Sequence, residues 1–208
     1  MELVDFDTWL EVSMIDKNVE YYNNNADSFF EGSVNADMSG VRSGFLKYVP
    51  DGGKILDAGC GSGRDSKAFL SEGYDVVAFD ASKEMCKRAS EYIGREVLNM
   101  RFEDISFDKE FDGIWACASL LHVPSDDLPE VLQKMKRALK PGGAIYASFK
   151  YGEGTTVRGE RVFSDYTEES ATKLFEEAGF EIVSSVVGGD SRPGREDEKW
   201  INVIGICQ

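Results

Sequence analysis

The chain has 208 residues, 42% of them hydrophobic and 29% charged, and a formal net charge of −15. That length suits one sizeable domain able to bury roughly 70% of its unfolded surface. The acidic balance excludes a general nucleic-acid binder and attachment to an anionic membrane, since both need a broad basic face; a local basic pocket stays open.

The opening stretch MELVDFDTWLEVSMID mixes acids with apolar residues and has no basic start, so it is not expected to be a signal peptide. Its Phe6, Trp9, Leu10 and Ile15 fall near one helical face. NVEYYNNNADSFF is more polar, and its asparagine run weakens a helix. MSGVRSGFLKYVP places Val41, Phe45, Leu46 and Val49 on a stripe and stops at Pro50. Residues 1–50 therefore read as a helical lid on a main domain spanning 51–208, the two forming one compact unit.

From Gly53 the pattern alternates. KILDAG is a short buried strand, and GRDSKAFLSEG is a helix. YDVVAFD is a second strand, and SKEMCKRASEYIG is a helix capped by Ser82. EVLNMRFED is a third strand and FDGIWACASL a fourth. SDDLPEVLQKMKRALKPGG is a helix with acids first and bases last, which suits the macrodipole. AIYASFK is a fifth strand. TEESATKLFEEAGF opens with a capping box at Thr167 and Ser170. EIVSSVVGG and KWINVIGIC end the chain as strands six and seven. No helix fits between those two, so they should pair antiparallel. Strand–helix repetition closed by a hairpin predicts an α/β, doubly wound, Rossmann-like sheet with right-handed crossovers. No run reaches membrane-spanning length. Cys60, Cys86, Cys117 and Cys207 form no CxxC pair and read as reduced thiols of a cytoplasmic protein. The single histidine, His122, leaves no ordinary zinc donor set, so no metal is expected.

Between strand 1 and its helix lies ILDAGCGSGRDS. Glycines at 59, 61 and 63 let the backbone turn sharply and approach a ligand. The helix N-terminus that follows offers free N–H groups. Asp80 closes the second strand about 20 residues on, where such folds hold ribose hydroxyls. A carboxylate only accepts hydrogen bonds, which suits a diol with two donors. A dinucleotide fingerprint would be G-x-G-x-x-G; here the third glycine comes one position early. There is also no Tyr-x-x-x-Lys pair, so an NAD-dependent oxidoreductase is the weaker reading. A binding module without catalysis is the other alternative.

LDAGCGSG, with Asp57 two before the first glycine, resembles the first motif of the class I S-adenosylmethionine-dependent methyltransferases. The resemblance covers about residues 40–208 and is loosely closest to small-molecule enzymes of the tellurite-resistance kind. It implies seven strands in the order 3-2-1-4-5-7-6 with strand 7 antiparallel, and S-adenosylmethionine as methyl donor with S-adenosylhomocysteine as product. It implies cofactor contacts from Gly59, Cys60, Gly61, Gly63, Asp80, Ala81 and Ser82. Asp104 would meet the adenine amino group, Ile105 the ring, and Ala118 the methionine end. Arg42 is expected on the cofactor carboxylate, and Tyr22 over the methionine end. There is no DPPY or NPPY after strand 4, which weighs against methylation of planar amides and adenine.

Ligands of open parallel sheets bind beyond the strand C-termini. There the loops carry Lys150, Tyr151, Arg158, Arg161, Arg192, Arg195 and Trp200; Tyr151 and some of the four arginines, Arg158, Arg192 and Arg195 foremost, are expected to hold a small anionic acceptor, either a metabolite or an oxyanion such as tellurite. Pairing of these arginines with Glu153, Glu160, Glu196 and Asp197 is the competing expectation. His122 is the candidate general base, although methyl transfer can proceed by alignment and exclusion of water alone. The expected partner is a small molecule, with no nucleic acid or membrane, and the protein a monomer or homodimer.

Overall fold

The computed structural model describes residues 16–192, 194–195 and 197–208. The helical stripe of Phe6, Trp9, Leu10 and Ile15 lies outside these residues. Helix α1 is described from 16 to 24 and continues, after a single turn residue at Asn25, into α2 (Ala26–Ser33). The asparagine run is tolerated because Asn25 Nδ2 donates back to the Tyr21 carbonyl at 2.8 Å. Helix α3 (Ser39–Leu46) buries Phe45, and Val49 is buried in the turn after it.

The main sheet contains β1 (Lys54–Ala58), β2 (Asp75–Asp80), β3 (Leu98–Asn99), β4 (Phe111–Ala116), β5 (Leu139–Lys150), β8 (Phe180–Gly189) and β9 (Lys199–Cys207). Its order is β3-β2-β1-β4-β5-β9-β8. The first five strands run parallel, and β9 is antiparallel to both β5 and β8. This is the expected order, with β8 and β9 as the sixth and seventh strands. The crossover helices are α4 (Arg64–Ser71), α5 (Lys83–Ile93), α6 (Leu128–Ala138) and α7 (Glu168–Glu177). Among the described residues no helix is long and apolar enough to cross a membrane.

Side chains alternate along each strand, so neighbouring residues face opposite layers. Leu56, Ile114 and Ile145 enter a core with Leu132 and Met135 of α6 and Phe175 of α7. Ile55, Trp115 and Tyr146 enter the other, with Phe45 of α3 and Phe69 of α4. Burial on both faces is why these strands read as nearly unbroken apolar runs.

Three elements differ from expectation. First, β5 begins at Leu139, so the LKPGG expected to close the preceding helix is part of the strand. The third strand shrinks to Leu98–Asn99, because the chain then tightens into a 3-10 turn at Phe102–Asp104, where Asp104 Oδ2 accepts from the Arg101 amide. The segment after β5, expected as a loop, folds into a separate antiparallel ribbon of β6 (Gly154–Arg158) and β7 (Arg161–Asp165). Its two-residue turn starts with Gly159 at φ +64°, the position that a type II′ turn reserves for glycine.

Candidate active site

The strand ends of β1, β2, β4 and β5 open into a cavity of about 990 Å³, walled on the far side by α1, α2 and the β6–β7 ribbon. The glycine turn forms one wall. Gly59 has φ +75°, and a Cβ there would lie 2.5 Å from that of Ser119, whose hydroxyl donates to the Ala58 carbonyl at 2.7 Å. Gly59 thus lets β1 and the loop after β4 close on each other. Gly61 and Cys60 line the cavity, but Gly63 does not. A Cβ on Gly63 would sit 2.9 Å from Ile93 and 3.2 Å from Ala89, so this glycine lets α4 start against α5.

Asp80 ends β2 at the cavity wall. It accepts from the Gly61 and Ser82 amides, both at 2.9 Å. Burial nevertheless raises its pKa, against those two backbone donors. Ala81 and Ser82 stand beside it, and Ser82 both caps α5 and donates to Asn23 of α1 at 2.8 Å. Asp104 and Ile105 are not in the wall. Asp104 is turned onto its own 3-10 turn, and Ile105 is buried in the core; Met100, Arg101, Phe102 and Glu103 take the wall positions.

The opposite end carries charge. Asp57 is buried, accepts from Ser66 at 2.5 Å, and is pushed up to about 7, first by burial and then by neighbouring Asp65. Arg64, at the first position of α4, chelates Asp65 at 3.1 and 2.5 Å. Arg42 approaches the same carboxylate at 2.8 Å, and Trp115 Nε1 does so at 3.1 Å. Two guanidinium groups therefore share one carboxylate, a surplus of one positive charge. Arg42, expected on the cofactor, lies behind the wall with its Nε buried and unpartnered; Arg64 lines the cavity. Sequence reasoning missed Arg64, although a cation directly after the GSG turn was a usable signal.

Ala118 lines the cavity after β4 at φ +53°, a strained conformation for a residue with a Cβ, and its amide donates to Ser148 at 2.9 Å. The Cys60 and Cys117 thiols are pushed up in pKa by burial, which disfavours a thiolate. Among the described residues no cluster of three His, Cys, Asp or Glu could hold a metal.

Across the cavity, His122 Nδ1 is 2.9 Å from the Val162 carbonyl, and Nε2 is 2.9 Å from the Tyr22 hydroxyl. Burial, with Arg161 adding to it, pushes His122 down to about 4, against the hydrogen bond to Val162. The ring is therefore neutral near pH 7. Arg161 Nη1 donates to the Tyr22 oxygen at 3.2 Å, and its guanidinium lies 4.8 Å from the Tyr21 ring and 5.2 Å from that of Phe163. Asn18 of α1 pairs with Val162 of β7 in both directions, at 3.1 and 2.9 Å. This tie between two parts of the far wall was not anticipated.

The four arginines expected at this edge all line the cavity, and three of them are paired. Arg158 bonds Asp165, Arg192 bonds Asp190, and Arg195 lies 3.5 Å from Glu198. These partners replace the anticipated Glu153, Glu160 and Asp197, while Glu196 falls outside the described residues. Lys150 bonds Glu198 and sits 4.0 Å over Trp200. Tyr151 stands at the rim, 43% exposed. Arg161, by contrast, lines the cavity with no carboxylate partner among the described residues.

Residues 55–143 match a family model described as a methyltransferase domain. Among curated proteins, the chain is 34% identical over 102 residues to the malonyl-[acyl-carrier protein] O-methyltransferase of Erwinia pyrifoliae, covering 46% of this chain and 36% of that one. It is 29% identical over 126 residues to the 2-methyl-6-phytyl-1,4-hydroquinone methyltransferase of Synechocystis, covering 58% and 39%. The matched stretches thus span about half or less of these relatives' length. The fold is similar to that of the Burkholderia thailandensis 1,6-didemethyltoxoflavin-N1-methyltransferase, solved with 1,6-didemethyltoxoflavin and S-adenosylhomocysteine. Its TM-score is 0.78 at 19% identity, covering all of this chain and 92% of that one. Residues 55–143 are thus similar to a methyltransferase domain, and the fold around them is that of the class I S-adenosylmethionine-dependent methyltransferases.

Proposed function

We propose that this protein transfers the methyl group of S-adenosylmethionine to a small-molecule acceptor carrying an anionic or strongly polar group. One observation carries the reading: the cavity joins a glycine turn, an acceptor-only carboxylate at Asp80, and an acid opposite a surplus guanidinium at Asp57 and Arg64. These suit the three polar parts of a sulfonium nucleoside. Asp80 would accept from the ribose hydroxyls. Asp57 would meet the ammonium, and Arg64 the carboxylate, with Arg42 holding Asp65 behind it. Phe102 and Met100 offer an apolar wall to the base. When bound, the sulfonium supplies an electrophilic methyl group.

The cavity volume stands near the top of the about 300–1,000 Å³ usual for ligand sites, enough for the nucleoside and an organic acceptor side by side. An oxyanion as small as tellurite would leave much of it unfilled. Of the pocket cations, Arg161 is the one best placed to take an acceptor anion, since Arg158, Arg192 and Arg195 already hold carboxylates. Helices α1 and α2 would form the lid. The test is formation of S-adenosylhomocysteine from S-adenosylmethionine across a panel of phenols, enols, carboxylic acids, N-heterocycles and tellurite. Turnover with an organic anion, lost in Arg161→Gln, is expected; turnover with tellurite alone, or none across the panel, contradicts the reading.

A further inference from the structure

The Tyr22 hydroxyl has its hydrogen-bond direction set by the residues behind it. The Val162 carbonyl can only accept, so His122 Nδ1 carries the proton. Nε2 of the neutral ring must then accept, and the Tyr22 O–H must donate to it. Arg161 takes one lone pair of the Tyr22 oxygen. What remains for the cavity is the other lone pair, with no proton, beside the N–H groups of Arg161. The His122 ring lines the cavity, but both its nitrogens are engaged in this arrangement, and the Phe163 ring lies 4.9 Å from it.

The geometry points to Tyr22 as the catalytic residue and to an acceptor whose nucleophilic atom bears a proton next to a hydrogen-bond-accepting oxygen: a lactam, an enol beside a carbonyl, or a hydroxy acid. The acceptor's X–H donates to Tyr22, and its neighbouring oxygen accepts from Arg161. This rests on the methyltransferase reading above and narrows its acceptor. In the reaction, a lone pair of X forms the X–CH3 bond while the S–CH3 bond breaks, its electron pair staying on sulfur. The X–H proton passes to the Tyr22 oxygen as the Tyr22 proton passes to His122 Nε2, and the imidazolium later returns it to solvent through the same hydroxyl. His122 is a positioning residue that acts through Tyr22. A weak base is adequate here, because X becomes strongly acidic as it gains the methyl group.

His122 is the chain's single histidine, so one imidazole reports on the site in a tag-free, ¹⁵N-labelled sample. Long-range ¹H–¹⁵N correlation at pH 7 should show Nδ1 protonated and Nε2 bare, with or without S-adenosylhomocysteine. Two probes then differ at one position, N–H in one and N–CH3 in the other. 2-Pyridone, with N–H beside C=O, should shift the Nε2 resonance of the S-adenosylhomocysteine complex and bind about tenfold tighter or more than N-methyl-2-pyridone. Tyr22→Phe should abolish the 2-pyridone shift while changing S-adenosylhomocysteine affinity less than about threefold. An Nε2–H tautomer, an imidazolium at pH 7, or equal behaviour of the two probes, including no effect from either, overturns the proposal. Failure of S-adenosylhomocysteine to bind the wild-type protein at all is a separate result: it defeats the methyltransferase reading, while the tautomer of the free protein still tests the hydrogen-bond chain.

Discussion

Asp57, buried, and His122, half-buried, are titratable groups at the cavity, and their pKa values move in opposite directions. Asp57, pushed up to about 7, is half protonated near neutral pH, and an ammonium placed beside it would favour its ionised form. Affinity for S-adenosylhomocysteine should therefore rise with pH, by up to about tenfold per unit below 7, and level off above. Calorimetry between pH 5.5 and 8.5 checks this, and Asp57→Asn should flatten the curve. His122 falls from an ordinary 6.5 to about 4, so its contribution to stability is complete above pH 6.5 and is lost as pH falls through 6.5 toward 4. Asp57 works the other way, its contribution being lost as pH rises from about 4 through 7. The two slopes oppose each other, so neither is visible in the wild-type curve alone. His122→Gln, which can still donate to Val162, should lose about 2 kcal/mol less than wild type between pH 7 and pH 5 in urea unfolding. At this scale the glycines and Asp80 were readable, because turn geometry and the end of a strand leave a local mark. Arg161, Tyr22 and His122 were not readable as a group: their meeting spans 100 and more positions, and no spacing rule encodes it.

At the scale of elements, the β6–β7 ribbon shows how a charge-rich segment can hide a hairpin. TTVRGERVF has β-branched residues on both sides of a glycine-led two-residue turn, a hairpin signal. The charged residues Arg158, Glu160 and Arg161 interrupt its apolar alternation and mask that pattern. Position along the 3-10 turn also decided which acid meets the cavity, since tightening from a strand to that turn rotates Asp104 back onto Arg101. The ribbon matters because Asn18 ties it to α1 through both polar groups of Val162. Asn18→Ala removes both bonds. The Val162 amide should then exchange about tenfold faster or more in hydrogen exchange, with little change at β1 or β4. Unchanged exchange at Val162 would mean that the ribbon is held by packing of Phe163 and Arg161 instead.

For the whole molecule, the strand order followed from alternation of apolar runs with helical patterns, and from the lack of room for a helix between β8 and β9. Topology then put the C-termini of the parallel strands on one side, and the cavity with them. A chain with net charge −15 pairs Arg158 with Asp165 and Arg192 with Asp190, makes Arg42 and Arg64 share Asp65, and leaves Arg161 without a carboxylate among the described residues. The central claim is that this cavity is a sulfonium-nucleoside site anchored by Asp80. Titration of S-adenosylhomocysteine into wild type and Asp80→Asn, with NAD as control, tests it most directly. The account predicts one saturable site in the wild type, affinity at least about tenfold weaker in Asp80→Asn, and no heat from NAD. Binding of NAD in place of S-adenosylhomocysteine, or equal S-adenosylhomocysteine affinity in the two proteins, would contradict it.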